Sequence, residues 1–195
     1  MKISFLASHG GSSARAIIEA IVKGEIKAET GILISNNADS AILDWCRKSE
    51  FPSLHISGKT HPETEDQAIC EALTNAQTDI VVLSGYMKKI GPAVLASFEN
   101  RVLNIHPALL PKHGGEGMYG DHVHQAVLNA GEKESGASVH IVTTGIDEGP
   151  VIKQSKVKVL PDDSLESLRQ RVQATEPALY IAALNKFLGI SHPGT

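Results

Sequence analysis

Apolar positions in the first half of the chain alternate between two rhythms. Residues 3–7 form a short strand-like run, after which Ala14, Ile17, Ile18, Ile21 and Val22 keep the i, i+3, i+4, i+7, i+8 spacing of one helix face until Gly24. The unit repeats as a strand over 31–35, followed by Ala38, Ala41, Ile42, Trp45 and Cys46 at helical spacing before Pro52. A third strand is predicted over 54–57 and a helix over 62–76, with Pro62 in the first turn, where its missing N–H removes no helix bond. The run Asp79-Ile80-Val81-Val82-Leu83-Ser84 is continuously apolar at its centre, as in a strand covered on both faces of a parallel sheet. A helix over 91–98 and a strand over 102–105 complete the alternation.

Period is lost over residues 106–120, a glycine-rich stretch with two prolines, long enough without structure to suggest a functional loop. Beyond it the pattern predicts a helix over 122–130 and strands over 137–143 and 151–159, joined by a Gly- and Pro-containing turn. A last helix starts near Asp163, where Asp163 and Glu166 have capping-box spacing, runs through Leu165, Leu168 and Val172 towards Gly189, and is kinked by Pro177. Strands alternating with helices imply an α/β fold: an open, mostly parallel, Rossmann-like sheet of about seven strands with helices on both faces. Ligands of such sheets collect at the carboxyl ends of the strands.

Composition narrows the function classes. The chain has 195 residues, 42% of them hydrophobic, and a formal charge of −4. That apolar fraction suits one domain with a sizeable core, and the mildly acidic balance disfavours a nucleic-acid partner. Cys46 and Cys70 form no CxxC pair, the N-terminus lacks a signal-peptide core, and no apolar stretch reaches the roughly 20 residues of a membrane span. The expectation is a cytoplasmic protein with no membrane partner.

Several local motifs admit two readings. The loop Ser8-His9-Gly10-Gly11-Ser12-Ser13 precedes a helix, where free N–H groups and the dipole favour an anion, yet a glycine turn is needed there simply to reverse the chain. Gly58-Lys59-Thr60 resembles the end of a P-loop, but Ser53 stands where its first glycine belongs. His106, His113, His122, His124 and His140 lack Cys or carboxylate partners at ligand-like spacing, and His122 and His124 fall on different faces of a helix, so no metal is expected. Asn104 and His106 are two apart at a strand end, so an amide donor and an imidazole can converge on one carbonyl oxygen. Asp147, in a turn between two strands, can orient that imidazole or take a proton through water. The competing reading makes Asn104 and Asp147 turn formers.

At these residues the chain resembles the formyltransferase fold family. The resemblance rests on Asn104-Ile105-His106-Pro107-Ala108-Leu109-Leu110-Pro111-Lys112, Gly136-Ala137-Ser138-Val139-His140 and Asp147-Glu148-Gly149-Pro150, in the family's order, and it covers nearly the whole chain. It implies a single formyltransferase domain over 1–195, with an acceptor phosphate-binding half (1–100) and a catalytic, folate-binding half (101–195). By the same resemblance Asn104, His106 and Asp147 form the catalytic trio, with Ser138 and His140 supporting the catalytic Asp147. Gly11, Ser12 and Ser13 hold the acceptor's phosphate, with Glu176 near its ribose, and Met87, Lys88, Ile90, Val142 and Thr143 pack around the folate.

The implied reaction is formyl transfer from 10-formyltetrahydrofolate, as co-substrate, to the amine of glycinamide ribonucleotide in purine biosynthesis, without a metal. Asn104 and His106 would stabilise the developing oxyanion, with Asp147 raising the His106 pKa to favour the imidazolium. This chain departs from the family pattern in Ser13, in Lys88, at Pro62 and in a longer loop after Lys112. Alternatives carrying the same trio are a formyltetrahydrofolate hydrolase, for whose N-terminal regulatory domain a first strand at Ile3 leaves no room, and a formyltransferase of another amine. A non-catalytic folate- or nucleotide-binding module is the alternative of a different class. The protein is expected to be a monomer or homodimer.

Overall fold

The computed structural model describes residues 1–189; residues 190–195, the tail of the expected domain span, lie outside the described residues. The chain divides into two units, which meet in sequence between Leu103 and Asn104.

In the first unit strands and helices alternate as β1 (Lys2–Leu6), α1 (Ser12–Val22), β2 (Glu29–Ser35), α2 (Ala41–Lys48), β3 (Ser53–His55), α3 (Glu65–Asn75), β4 (Ile80–Leu83) and α4 (Pro92–Ser97), ending in the first residues of β5 (Val102–His106). β1 pairs in parallel with both β2 and β4, β2 with β3, and β4 with β5. Every residue of β4 is buried, which is why its sequence is an unbroken Ile-Val-Val-Leu run rather than an alternating one. The strand order reverses at β1 and β4, so the loops that follow these two strands flank the position where open α/β sheets bind ligands.

Two helix starts in this unit differ from the periodicity. Ala38 lies in a turn, and α2 begins only at Ala41, after Ser40 in extended backbone. Pro62 is not in a first helical turn. Residues 57–61 close a hydrogen-bonded turn through Ser57 and Thr60, Glu63 takes a left-handed φ of 62°, and α3 starts at Glu65.

The second unit takes the last residues of β5 and continues with α5 (Asp121–Asn129), β6 (Glu134–Ile141), β7 (Val151–Lys158), α6 (Leu165–Gln173) and α7 (Glu176–Phe187). β6 and β7 are antiparallel, and the strand order is β3-β2-β1-β4-β5-β6-β7, a mostly parallel seven-stranded sheet as predicted. The expected capping box is shifted by one residue. Ser164 caps α6 reciprocally with Ser167, while Asp163 binds the Arg171 guanidinium through both carboxylate oxygens. Nor does Pro177 kink one long helix: the helix ends at Gln173, and Pro177 sits in the first turn of α7. No helix of the described residues is long and apolar enough to cross a membrane.

Candidate active site

The end of β5 and the loop between β6 and β7 bring the expected trio together within the second unit. His106 is 3% exposed, and its Nδ1 lies 3.4 Å from Asp147 Oδ2. His140, on β6 and 2% exposed, stands beside both other members. Its Nδ1 donates to the Ile141 carbonyl, which leaves Nε2 to accept from the Asn104 amide nitrogen at 3.2 Å; the same Nε2 is 3.5 Å from Asp147 Oδ1. One amide hydrogen of Asn104 is thereby committed, and the other remains available to a substrate oxygen.

Asp147 occupies the left-handed region at φ 57°, a conformation Asp tolerates better than most residues, and the turn aims its carboxylate back at the two imidazoles. Its Oδ2 also accepts from the Gly115 N–H at 3.2 Å. Burial pushes this carboxyl up, but the polar groups around it, the Gly115 N–H among them, outweigh it and hold Asp147 below its ordinary value.

His106 departs from expectation. Asp147 does pull its pKa up, but burial acts more strongly, and the net shift is downward, so the neutral imidazole is favoured. Its tautomer is set by a contact that the residue pattern did not indicate: Nε2 donates to the backbone carbonyl of His113 at 2.7 Å. Gly114 follows in close packing, since a Cβ there would meet Leu110 Cδ2 at 2.5 Å and Asp147 Cβ at 3.2 Å and would have to displace them. The glycine-rich loop therefore lies directly on the trio.

Ser138 supports a different partner from the one expected. Instead of touching Asp147, its hydroxyl donates to the Ala108 carbonyl and accepts from the Leu110 N–H, and it bonds Gln154 across the β6–β7 ladder. Gln154 also donates to the Leu110 carbonyl, which pins the segment after His106. Gln154 was not singled out from sequence; its role follows from its register opposite Ser138. Of the two helical histidines, His124 is buried and His122 exposed, on different faces of α5 as the spacing requires. Glu176, at the start of α7, has its carboxyl raised to about 7 by burial.

The first unit holds the other expected residues. Gly11 ends the β1 loop at φ 57° against Ile42, where a Cβ would come within 2.7 Å of Cγ1, and it opens α1. The first-turn amides of Ser12 and Ser13 precede the first helical bond, from Arg15 to Gly11, so they have no intrahelical acceptor. The Ser8 hydroxyl donates to Asn36 Oδ1 and accepts from the Met87 N–H, tying the loops after β1, β2 and β4 together. Met87 is half exposed and Ile90 buried, while Lys88 is paired with Glu65 at 2.7 Å. A cavity of about 80 Å³ opens beside Lys88, Tyr86 and Ile90. Val142 and Thr143, in the second unit, begin the loop that leads to Asp147 and are partly buried.

Comparison with known proteins shows the family and the fold. A family model described as formyl transferase matches residues 1–184. Phosphoribosylglycinamide formyltransferase of Escherichia coli (strain K12) is 37% identical over 189 residues, spanning 96% of this chain and 87% of that protein. The chloroplastic phosphoribosylglycinamide formyltransferase of Arabidopsis thaliana is 36% identical over 92% of this chain, which spans only 63% of that longer protein. The crystal structure of glycinamide ribonucleotide transformylase 1 from Symbiobacterium toebii superposes with a TM-score of 0.90 at 36% identity, covering 97% of this chain and 88% of that one.

Proposed function

The chain belongs to the formyl transferase family, and from that premise we propose that it transfers a formyl group from 10-formyltetrahydrofolate to the primary amine of glycinamide ribonucleotide, a step of purine biosynthesis. The observation that carries this reading is the constellation of Asn104 and Asp147 with the buried His106 and His140, with distances of 3.2 to 3.5 Å linking an amide donor, two imidazoles and an ionised carboxylate. Relatives named for this activity at 34–37% identity, over nearly the whole of this chain, support the choice of acceptor.

In this reading the acceptor amine attacks the formyl carbon, and negative charge grows on the formyl oxygen. The free amide hydrogen of Asn104 and the Nε2–H of His106 are the donors that meet that oxygen; a neutral imidazole serves as a donor without needing a proton from solvent. Asp147, ionised throughout the neutral range, accepts the amine proton through water and returns it to the folate nitrogen as the carbon–nitrogen bond to folate breaks. Tetrahydrofolate and the formylated amide are released. Gly11, Ser12 and Ser13 offer main-chain donors to the acceptor's phosphate, and Glu176 accepts from its ribose hydroxyls. Met87, Lys88, Ile90, Val142 and Thr143 contact the folate.

The experiment is a spectroscopic assay of deformylated folate release, with and without glycinamide ribonucleotide. Release that requires the acceptor is the expected result. Equal release without it would make the chain a hydrolase, and no release would remove the catalytic reading.

A further inference from the structure

His106 in this structure has Nε2 on the His113 carbonyl and Nδ1 3.4 Å from Asp147 Oδ2. The proposed reaction needs one of them for the formyl oxygen. A carbonyl oxygen 2.7 Å from Nε2 has the chemistry and the distance of that substrate atom. We propose that the His113 carbonyl is an internal stand-in for the donor's formyl oxygen on His106, and that Glu132 latches it there. This inference rests on the function proposed above.

The latch is built from three side chains. Glu132, in the turn between α5 and β6, accepts from Lys112 Nζ at 2.9 and 3.1 Å and lies 3.4 Å from His113 Nε2. It thus grips the two residues that lead into the strap. His113 sits at a left-handed φ of 54°, which a non-glycine residue holds only when its surroundings enforce it. The next residues add a second hold on the trio, because the Gly115 N–H donates to Asp147 Oδ2. One short segment therefore covers a donor atom on His106 and an acceptor atom on Asp147.

The strap also has room to leave. A Cβ at Gly115 or Gly117 would meet nothing within 4 Å, so the far side of the segment is open. Behind the latch lies a cavity of about 170 Å³, bordered by Glu132, His113, Leu109, Val127 and Ser135. Ser135, 1% exposed, has a hydroxyl without a hydrogen-bond partner among the described residues. A donor molecule must exchange its formyl oxygen for the His113 carbonyl, and its apparent affinity is reduced by the fraction of molecules in which the strap is closed.

The test is Glu132→Gln, with Gly115→Ala as a second variant that opposes the closed φ of 97° without adding a clash. Binding of the formyl donor alone, by calorimetry, is expected to tighten about two- to tenfold in both, the effect of weakening one ordinary hydrogen bond. Amide hydrogen exchange at Gly115 in Glu132→Gln, without folate, is expected to quicken. Unchanged or weaker donor affinity in both variants overturns the stand-in, and unchanged Gly115 exchange overturns the latch. Should the native chain fail to turn over the formyl donor at all, the functional reading fails instead, and the exchange result still decides whether Glu132 holds the strap.

Discussion

His140 accepts a hydrogen bond from the Asn104 amide nitrogen at 3.2 Å, and it can do so because its other nitrogen is committed to the Ile141 carbonyl. The ring thus fixes which way the Asn104 amide faces, and with it the direction of the remaining N–H. Replacing His140 by Ala frees the amide to rotate. The expected result is a fall in kcat of about 10²-fold, similar to removal of one oxyanion donor, with a smaller change in KM. Steady-state kinetics check this, and a rise in KM at constant kcat would speak against the orienting role.

Asp147→Asn keeps the shape of the side chain and removes the base. A loss of about 10²- to 10⁴-fold in kcat is expected, measured by single-turnover kinetics. The pH dependence of stability supplies a second readout. The native carboxyl lies below its unfolded value, so the folded state binds fewer protons, and the stability from Asp147 is complete above about pH 4 and lost as pH falls through the native pKa. The stability difference between native and variant protein, from denaturant titrations, should therefore shrink below about pH 4.

Glu176 has the opposite sign. Its folded pKa of about 7 is above the unfolded value, so its favourable contribution is full below about pH 4 and is lost as pH rises through 7. Glu176→Gln is expected to gain stability relative to the native chain as pH rises from about 4 to about 7, with the difference level above that, and to weaken acceptor binding at the upper end. Thermal melts across that range check the first effect and acceptor titrations the second.

Ser138→Ala removes the hydroxyl that serves the Ala108 carbonyl, the Leu110 N–H and Gln154. Leaving these buried groups short of a partner costs about 1–3 kcal/mol. Denaturant unfolding should show that loss, together with reduced amide protection at Leu110.

Much of this was legible in the residue pattern, for identifiable reasons. The β-α alternation shows because β4 is buried on both faces and α1 on one, and burial leaves its period in the sequence. A strand end and a tight turn make Asn104, His106 and Asp147 candidates by spacing, and the resemblance to the formyltransferase fold family joins them as a trio. The His106 pKa was not legible: the attraction to Asp147 can be anticipated, but the burial that exceeds it belongs to the whole core. The His113 contact was hidden for another reason, since the direction of a backbone carbonyl is set by the φ and ψ angles of the loop, which no side-chain pattern records. Gln154 and Glu132 act across strand and turn pairings that no local spacing encodes. The shift of the α6 cap from Asp163 to Ser164 turned on which side chain Arg171 claimed.

The measurement that tests the central claim most directly follows a ¹³C label in the formyl group of 10-formyltetrahydrofolate, by NMR, in the presence of glycinamide ribonucleotide and the protein. The account predicts that the label appears as the formamide carbon of the acceptor, at a rate that falls to background without acceptor. Label released as formate, at the same rate with or without the acceptor, would contradict it.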